Sequence, residues 1–464
     1  MNTQDTICAI ATAQGGAIGV IRISGKDAIA ITDRIFTPVG KHPLPLSERK
    51  AYTMAFGHIR QDDGEIIDEV LIGLFKSPHS YTGEDCVEIS CHGSSFILQQ
   101  VMQLLIRKGC RAAGPGEFTQ RAFLNGKMDL SQAEAVADLI ASSSAATHRM
   151  AMNQMRGGFS RELSALRERL LHLTFLMELE LDFSDHEELE FADRSELETI
   201  AADIEKVISG LVHSFSVGNV LKNGIPVAIV GETNAGKSTL LNTLLNEEKA
   251  IVSDIHGTTR DVIEDTVNLS GITFRFIDTA GIRDTHDTIE NMGIARSFHK
   301  MEQAEIVLWV VDNTCAEAQI RQLSPRILPL CSNKQLIILL NKSDQVSAVP
   351  TKLSGLPENT VTLSISAKEK TGIQELQNLL VKTVSVPELT SSDLIVTNVR
   401  HYEALSLALE DIHRVQNGLQ THLSGDFISQ DLRECLFHLA EIVGGEITAD
   451  EVLGNIFMKF CIGK

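Results

Sequence analysis

The chain has 464 residues, 43% of them hydrophobic and 22% charged, which is typical of a folded protein of several domains and excludes a disordered or fibrous chain. No stretch reaches the roughly 18 consecutive apolar residues of a membrane span, and residues 1–10 lack a cationic secretory signal, so we expect a cytoplasmic protein without membrane contact. The formal charge of −20 argues against general coating of nucleic acid, so any RNA contact is expected to be local.

The amino-terminal part mixes short β-branched runs with turn residues. Runs at 17–25, 69–75 and 86–93 are bounded by glycine or proline and predict strands, and 96–108 predicts a helix. We therefore expect an α+β domain over residues 1–125.

The hydrophobic pattern of the sequence then changes three times. Apolar residues recur at spacings of three and four after Ser131, which predicts the first part of an all-α helical domain over 126–221. Strand-length apolar runs alternate with helical segments over 222–384, which predicts βαβ units and a mostly parallel sheet. Helical pattern returns over 385–464, so the simplest architecture is a multidomain α/β protein whose split helical domain carries an inserted domain.

The strongest motif is Gly-Glu-Thr-Asn-Ala-Gly-Lys-Ser at 231–238, which matches G-x-x-x-x-G-K-[ST] between an apolar strand and a helix. In such a phosphate loop the backbone N–H groups cradle phosphates, Lys237 neutralises the β and γ oxygens, and Ser238 coordinates Mg²⁺. Asp-Thr-Ala-Gly at 278–281, Asn-Lys-Ser-Asp at 341–344 and Ser-Ala-Lys at 366–368 follow in order.

Asp278 is expected to hold Mg²⁺ through water and Gly281 to approach the γ-phosphate, whereas the Asn-Lys-Ser-Asp and Ser-Ala-Lys motifs select the nucleotide. The Asp344 carboxylate can accept from the N1 and N2 protons of guanine, which adenine does not offer, so the sequence predicts an inserted Ras-like P-loop GTPase domain. Thr259 lies between the first two motifs and is expected to reach Mg²⁺ when the γ-phosphate is present. The residues predicted to bind GTP are Asn234, Ala235, Gly236, Lys237, Ser238, Thr239, Ser253, Asp254, Ile255, His256, Gly257, Thr258, Thr259, Asp278, Thr279, Ala280, Gly281, Asn341, Lys342, Asp344, Ser366, Ala367 and Lys368.

Hydrolysis needs a residue that orients water. Ras-like enzymes use a glutamine after the Asp-Thr-Ala-Gly motif, but this chain has Ile282, so a carboxylate such as Asp284, Asp287 or Glu290 is expected to act instead. The Asn234 amide could hold a monovalent cation near the α/β-phosphate bridge or could cap its own loop, and the residues alone leave both interpretations open.

The order of these segments, the Gly-Thr-Thr-Arg-Asp run at 257–261 and the ending Phe-Cys-Ile-Gly-Lys at 460–464 resemble the tRNA-modification GTPase family MnmE, also called TrmE. The segments 22–25, 82–85 and 115–134 match it as well, so the resemblance covers essentially the whole chain. One departure is Ser94, where the family usually has a second glycine after His92-Gly93.

The resemblance implies a potassium-stimulated GTPase that forms a homodimer, with residues 1–125 as a folate-binding and dimerisation domain. With an FAD- and NADH-dependent partner of the MnmG (GidA-like) type, in a heterotetramer or larger complex, such enzymes modify certain tRNAs. They add an aminomethyl or carboxymethylaminomethyl group to C5 of the wobble uridine, with 5-formyl-tetrahydrofolate or a related reduced folate as one-carbon donor. GTP hydrolysis drives dimerisation of the GTPase domains and a conformational change.

The resemblance also implies metal ligands and a residue for hydrolysis. Ser238 and Thr259 would bind Mg²⁺, and Glu290 would orient the hydrolytic water. The residues implied as K⁺ ligands are Asn234, Ser253, Ile255 and Thr258.

A folate site is implied around Arg22, Glu88, Lys127 and Lys464, whose charges suit an anionic tail and a hydrogen-donating pterin. Cys461 is either a catalytic residue, as the family motif suggests, or packs beside this site. The alternative function is a regulatory or ribosome-assembly GTPase switch without modifying chemistry. The amino-terminal part weakens that alternative because residues 1–128 carry 13 basic and 13 acidic side chains, whereas ribosomal RNA binders normally present a basic face.

Overall fold

The computed structural model describes residues 5–13, 15–40, 43–182, 194–248, 265–277, 301–346, 356–357, 360–384, 394–445, 457, 460 and 463. Contacts divide the chain into two compact units, of which the first comprises Met1–Ile140, Ala151–Ile208 and Glu403–Lys464. The second comprises Ala141–Met150 and Ser209–Tyr402 and thus interrupts the first in sequence.

The amino-terminal part of the first unit forms a mixed sheet in the order β3-β4-β5-β6-β2-β1-β7, antiparallel except for the parallel pair β1 and β7. Its strands are β1 (Ile7–Ile10), β2 (Ile18–Ser24), β3 (Phe36–Pro38), β4 (Thr53–Arg60), β5 (Ile66–Phe75), β6 (Cys86–His92) and β7 (Arg111–Ala112). The helices are α1 (Ala28–Asp33), α2 (Ser95–Arg107) and α3 (Glu117–Leu124).

Strand β5 shows why this sheet has one covered face. Val70, Ile72 and Leu74 are buried in the core, whereas the intervening Leu71 is 43% exposed, as expected from the two-residue period of a strand. Leu98 and Val101 of α2 belong to the same core. The predicted strands and helix are confirmed, with β5 beginning earlier than the predicted residue 69.

Long helices follow: α4 (Leu130–Ala141), α5 (Ala145–Met155), α6 (Gly158–Asp182) and α7 (Arg194–Asn223). The spacing of three and four in α6 buries one apolar stripe, which consists of Leu163, Leu166, Leu170, Leu173 and Met177. The predicted helical texture is therefore confirmed for these residues.

The second unit contains a sheet in the order β13-β12-β11-β8-β10-β9, parallel except for the antiparallel pair β9 and β10. Its strands are β8 (Ile225–Val230), β9 (Asp265–Leu269), β10 (Ile272–Phe276), β11 (Ile306–Asp312), β12 (Gln335–Asn341) and β13 (Val361–Ser364). Its helices are α8 (Lys237–Glu248), α9 (Ala316–Ile327) and α10 (Ile373–Thr383).

Both faces of this sheet are covered. Val227 and Ile229 belong to a core that includes side chains of α8 and α10, and Val230 belongs to a second core that includes side chains of α9. Strands buried on both sides carry continuous apolar runs, which explains the pattern of β11 and confirms the predicted, mostly parallel sheet.

Helices α11 (Val399–Gln420) and α12 (Gly425–Val443) complete the described elements. Helix α12 packs against α6 within the first unit. In the parts of the chain that the structure describes, no helix combines the length and hydropathy of a membrane span.

Candidate functional site

The phosphate loop joins the end of β8 to the start of α8. A Cβ at Gly231 would lie 2.1 Å from the carbonyl oxygen of Val310, and one at Gly236 would lie 2.1 Å from Asn341 Nδ2. The φ angles of 147° and 98° also disfavour any residue with a side chain at these two positions. Glycine is therefore required at both ends of the loop, where the backbone must stay close to its neighbours.

Lys237 lies over this loop. Its Nζ donates hydrogen bonds to the carbonyl oxygens of Gly231, at 2.8 Å, and of Glu232, at 2.7 Å. Ser238 and Thr239 follow in the first turn of α8, where helix N–H groups favour anions. Asn234 is exposed on the loop in a left-handed conformation, with φ of 64°.

Asn341 ties three of the predicted motifs together. It is 3% exposed at the end of β12, donates from Nδ2 to the Ala235 carbonyl oxygen at 2.8 Å, and accepts from Ala367 N at 3.0 Å. Thr243 of α8 also donates to the Ala367 carbonyl oxygen, at 3.0 Å. The carboxyl edge of the parallel sheet thus gathers the phosphate loop with segments 341–344 and 366–368.

The Asp344 side chain is held by Ser366. The Ser366 hydroxyl is buried and donates to Asp344 Oδ1 at 2.6 Å, while its oxygen accepts from Glu369 N at 3.2 Å. Asp344 itself is exposed, so the carboxylate is oriented and still accessible to a nucleobase. The predicted neighbour Lys368 is also exposed, with 79% of its side chain accessible.

Sequence reasoning missed Asp312 at the end of β11. Lys342, at φ of 65°, places its ammonium 2.5 Å from Asp312 Oδ2. Burial alone would raise the pKa of Asp312, but hydrogen bonds from Lys342 and Thr314 outweigh it and lower that pKa, so the carboxylate stays ionised. Asp312 lies in no recognised motif, although its place at a strand end is a signal.

Many predicted site residues lie outside the described residues. They are Ser253, Asp254, Ile255, His256, Gly257, Thr258, Thr259, Asp278, Thr279, Ala280, Gly281, Glu290, Cys461 and Lys464.

The first unit holds a separate group of predicted residues. Arg22 of β2 and Glu88 of β6 are partners in register, and Arg22 donates to Glu88 Oε1 from Nε at 2.9 Å and from Nη2 at 2.8 Å. The guanidinium carbon lies 5.5 Å from the Tyr81 ring centroid and 5.8 Å from that of Phe118. The structure therefore brings two predicted folate residues together beside two aromatic rings.

The described carboxyl-terminal residues reach the same place. Arg22 Nη1 lies 3.4 Å from the carbonyl oxygen of Gly463, with hydrogen-bond geometry. Gly463 has φ of 95°, and a Cβ there would lie 2.5 Å from the Ile10 carbonyl oxygen. Phe457 and Phe460 pack with Leu130 and Ala133 in a small apolar core, which anchors this end of the chain.

Lys127 lies farther out and contacts the loop that carries Tyr81. Its Nζ donates to the Pro78 carbonyl oxygen at 3.0 Å, and the residue is exposed. The same loop is held from inside by Ser24, whose hydroxyl lies 2.7 Å from Thr82 Oγ1 and donates to Glu84 Oε2 at 2.7 Å.

The glycine that the sequence lacks at position 94 is not needed there. Ser94 has φ of −63°, which suits any residue, and it precedes α2. A Cβ at Gly93, by contrast, would lie 2.0 Å from the Gly16 carbonyl oxygen. Close backbone approach therefore depends on the glycine that this chain has kept.

A mostly parallel sheet with a phosphate loop at its carboxyl edge, and an accessible aspartate oriented by Ser366, is the arrangement of the class of P-loop GTPases. The family described as "GTP-binding protein TrmE N-terminus" matches residues 6–127, and the family described as "MnmE helical domain" matches residues 130–461.

Curated relatives match over the full length. The tRNA modification GTPase MnmE of Bacteroides thetaiotaomicron is 66% identical and covers 99% of this chain and 100% of the relative. Those of Phocaeicola vulgatus and Flavobacterium johnsoniae are 62% and 52% identical and cover 100% of both chains. The solved FeoB G-domain from Methanococcus jannaschii is 24% identical over 34% of this chain and 96% of that chain, with a TM-score of 0.26.

The chain belongs to the MnmE family of tRNA modification GTPases. It is a GTP hydrolase of tRNA modification, which confirms the predicted resemblance and the predicted class of enzyme.

Proposed function

We propose that this chain hydrolyses GTP in the presence of Mg²⁺ and K⁺ to control modification of the wobble uridine of certain tRNAs. The observation that carries the nucleotide part is the tie made by Asn341, which joins the phosphate loop at Ala235 to the Ser-Ala-Lys segment at Ala367. This tie supports one continuous site in which Lys237 faces phosphates and Asp344 accepts from guanine.

The predicted ligands fit the two cations in their donor chemistry, and of these the structure describes Ser238 and Asn234. Ser238, with Thr259, would bind Mg²⁺, and the Asn234 amide would contribute to a K⁺ site with Ser253, Ile255 and Thr258. Hydroxyl, amide and carbonyl oxygens are suitable ligands for such hard cations. When bound, the cations would neutralise charge on the phosphates. Asn234 is exposed on the phosphate loop, which leaves its amide accessible.

Hydrolysis is assigned to a water molecule oriented by Glu290. We expect Glu290→Ala to abolish turnover but to leave GTP affinity nearly unchanged, since the group acts on water and not on the nucleotide. A comparable loss of GTP affinity would contradict the role. We expect GTP hydrolysis to be faster in KCl than in NaCl at the same ionic strength. Equal rates of hydrolysis would contradict the proposed role of Asn234 as a K⁺ ligand.

The one-carbon donor is proposed to be 5-formyl-tetrahydrofolate or a related reduced folate, bound at Arg22, Glu88, Lys127 and Lys464. Support comes from the juxtaposition of a cation, a carboxylate and the rings of Tyr81 and Phe118. A carboxylate can accept from pterin donors, a guanidinium can bind the anionic tail, and aromatic rings can stack on a flat heterocycle. Cys461 is a candidate for this chemistry or for packing beside it.

A homodimer is proposed through residues 1–125, the folate-binding and dimerisation domain. On the face of β4 and β5 opposite the core, Met54 is 65% exposed, Phe56 47% and Leu71 43%, and Phe56 pairs directly with Leu71. A contiguous apolar face of this kind supports contact with a second copy. The proposed division continues with helical segments 126–221 and 385–464 and the GTPase domain 222–384.

The proposed reaction adds an aminomethyl or carboxymethylaminomethyl group at C5 of uridine, in the cytoplasm, with an FAD- and NADH-dependent MnmG-type partner in a heterotetramer or larger complex. GTP hydrolysis is proposed to drive dimerisation of the GTPase domains. Family membership favours this reaction over a ribosome-assembly switch.

Two experiments test the proposal. Asp344→Asn should shift the preference from GTP to XTP, because an amide can donate to the xanthine C2 carbonyl where the carboxylate accepted from the guanine amine. Unchanged GTP preference would refute the guanine role. The full chain should bind 5-formyl-tetrahydrofolate saturably, and this binding should be lost in Arg22→Ala and kept in the control Arg60→Ala. If the unaltered protein does not bind the folate, the alternative of a GTPase switch without modifying chemistry would be favoured.

Nucleoside analysis of tRNA gives the decisive cellular readout. Cells that lack the protein should lose the C5-modified wobble uridine and regain it with the unaltered chain, but not with Lys237→Ala. Full modification without the protein would refute the proposed reaction.

A further inference from the structure

Gln319 on α9 joins two parts of the second compact unit, here called the GTPase unit (Ala141–Met150 and Ser209–Tyr402). No sequence motif connects these two parts. Its side chain is buried, with the residue 8% exposed. The Oε1 atom accepts from Asp312 N at 2.9 Å, and the Nε2 atom donates to Glu232 Oε2 at 2.8 Å. One amide thus links the end of strand β11 to the phosphate loop.

The Glu232 end of this link bears on Lys237. The Glu232 carbonyl oxygen accepts from Lys237 Nζ at 2.7 Å and from Ala235 N at 3.3 Å. Fixing the Glu232 side chain therefore restrains the peptide against which the phosphate-binding lysine rests. At the other end, Asp312 pairs with Lys342 of the Asn-Lys-Ser-Asp motif, 2.5 Å away.

Glutamine suits this place because the two neighbours make opposite demands. Asp312 offers an N–H donor, and Glu232 offers a carboxylate acceptor, so the bridging group must accept on one side and donate on the other. A carboxylate in place of the Gln319 amide would still accept from Asp312 but would lie against the carboxylate of Glu232. Like charges at this distance would repel and release the loop.

We propose that Gln319 is a positioning residue that raises affinity for guanine nucleotides by holding Glu232, and through it the phosphate loop. The inference rests on the proposed phosphate site at Lys237. It concerns binding of the nucleotide rather than the hydrolytic step, since Gln319 acts on the loop and not on water.

The test compares Q319E, Q319E combined with E232Q, and the control Q322E, which makes the same charge change at an exposed position of α9. We expect Q319E to raise KM for GTP and Kd for a fluorescent GDP about tenfold, because this is the change in affinity expected for the loss of one hydrogen bond to a charged group. The kcat should stay within about twofold, because binding common to ground and transition states is what is lost. Adding E232Q should restore KM, since the double variant exchanges the amide and the carboxylate and so lets the loop side chain donate to the helix side chain.

Several outcomes would overturn the inference. They are an unchanged KM in Q319E, a KM that E232Q fails to restore, or an equal rise in Q322E. If thermal melting shows that Q319E is not folded, the same KM measurements are made on Q319A, E232A and the double variant Q319A/E232A. In the double variant the rise in KM should not exceed the larger single effect, and additive effects would refute the link.

The Lys237→Ala variant separates this inference from the function on which it rests. Retained GTP binding in Lys237→Ala would remove the phosphate site itself. Lost binding there, together with an unaltered KM in Q319E, would refute only the role of Gln319.

Discussion

Arg121 should be among the costliest side chains to remove from the amino-terminal domain. Its guanidinium is 3% exposed and donates to Asp5 Oδ1 at 2.5 Å, Glu84 Oε2 at 3.2 Å and Glu117 Oε1 at 3.1 Å. It also donates to the Asp5 carbonyl oxygen at 2.8 Å. Arg121→Met would keep much of the volume and leave three carboxylates facing an apolar chain.

The magnitude follows from burial. Removing one partner of a buried ion pair costs about 3–5 kcal/mol, because the charge left behind stays desolvated. In Arg121→Met this applies most directly to Glu84, since Asp5 and Glu117 would still contact Arg111. Arg111 is the matched control, since it contacts the same Asp5 and Glu117 but is 48% exposed. Arg111→Met should cost about 1 kcal/mol or less, as partly exposed pairs do.

Native-state hydrogen exchange can measure this difference locally. Peptides from β1 and β2 should exchange about a hundredfold to a few thousandfold faster in Arg121→Met, since about 1.4 kcal/mol corresponds to a factor of ten. Peptides from β11, in the other unit, provide the internal reference. Equal acceleration in both variants, or none in Arg121→Met, would refute the reasoning that burial sets the cost.

Three further predictions follow from the structure. Gly231→Ala should abolish binding of fluorescent GDP, because its Cβ would lie 2.1 Å from a main-chain oxygen of β11. Lowering the pH below the ordinary pKa values of Asp and Glu side chains, 3.8 for Asp5 and 4.5 for Glu117, should reduce the melting temperature progressively. Burial opposes ionisation of both carboxyl groups, but the guanidinium groups of Arg111 and Arg121 lower the two pKa values overall. The ionised carboxylates therefore stabilise the fold fully above the ordinary pKa values, and this stabilisation is lost as the pH falls through the lowered pKa values. Asp411→Asn should not lower the melting temperature at pH 7, because burial raises the pKa of Asp411 and its ionisation therefore opposes folding.

Each of these has a clear contradiction. Gly271 has φ of 86° but open space around its Cβ position, so Gly271→Ala should keep nucleotide binding, and equal loss in both variants would exclude the steric explanation. An acid transition unaltered in Glu117→Gln would remove the carboxylate explanation. A melting temperature several degrees lower in Asp411→Asn would show that its ion pair with Arg414 outweighs burial.

The nucleotide site was predictable from sequence because of how parallel sheets are built. The carboxyl ends of β8 and β12 lie at one edge, so motifs that follow those strands must approach each other. Sequence also assigned Asn341 to the site. The structure shows that its amide joins Ala235 to Ala367, a contact between residues far apart in the chain that spacing alone does not reveal.

The supporting residues were not predictable in this way. Gln319 contacts Glu232 across 87 positions, and Arg121 contacts Asp5 across 116. Nothing in helical periodicity separates Gln319 from an ordinary polar residue on a solvated face. Its burial depends on the β8–β11 pairing, which is a property of the tertiary fold.

The GTPase unit uses one physical arrangement twice, in which a charged group that is not fully buried is oriented by a polar side chain that is almost fully buried. Ser366 holds Asp344, and Gln319 holds Glu232. A buried polar group without a partner is costly, so the buried member strongly favours the geometry in which the accessible member is in place. Folding fixes this geometry before any ligand binds. The entropic cost of ordering the site on binding is therefore smaller. Replacing Gln319 should therefore weaken nucleotide binding, although Gln319 is not among the residues predicted to contact GTP.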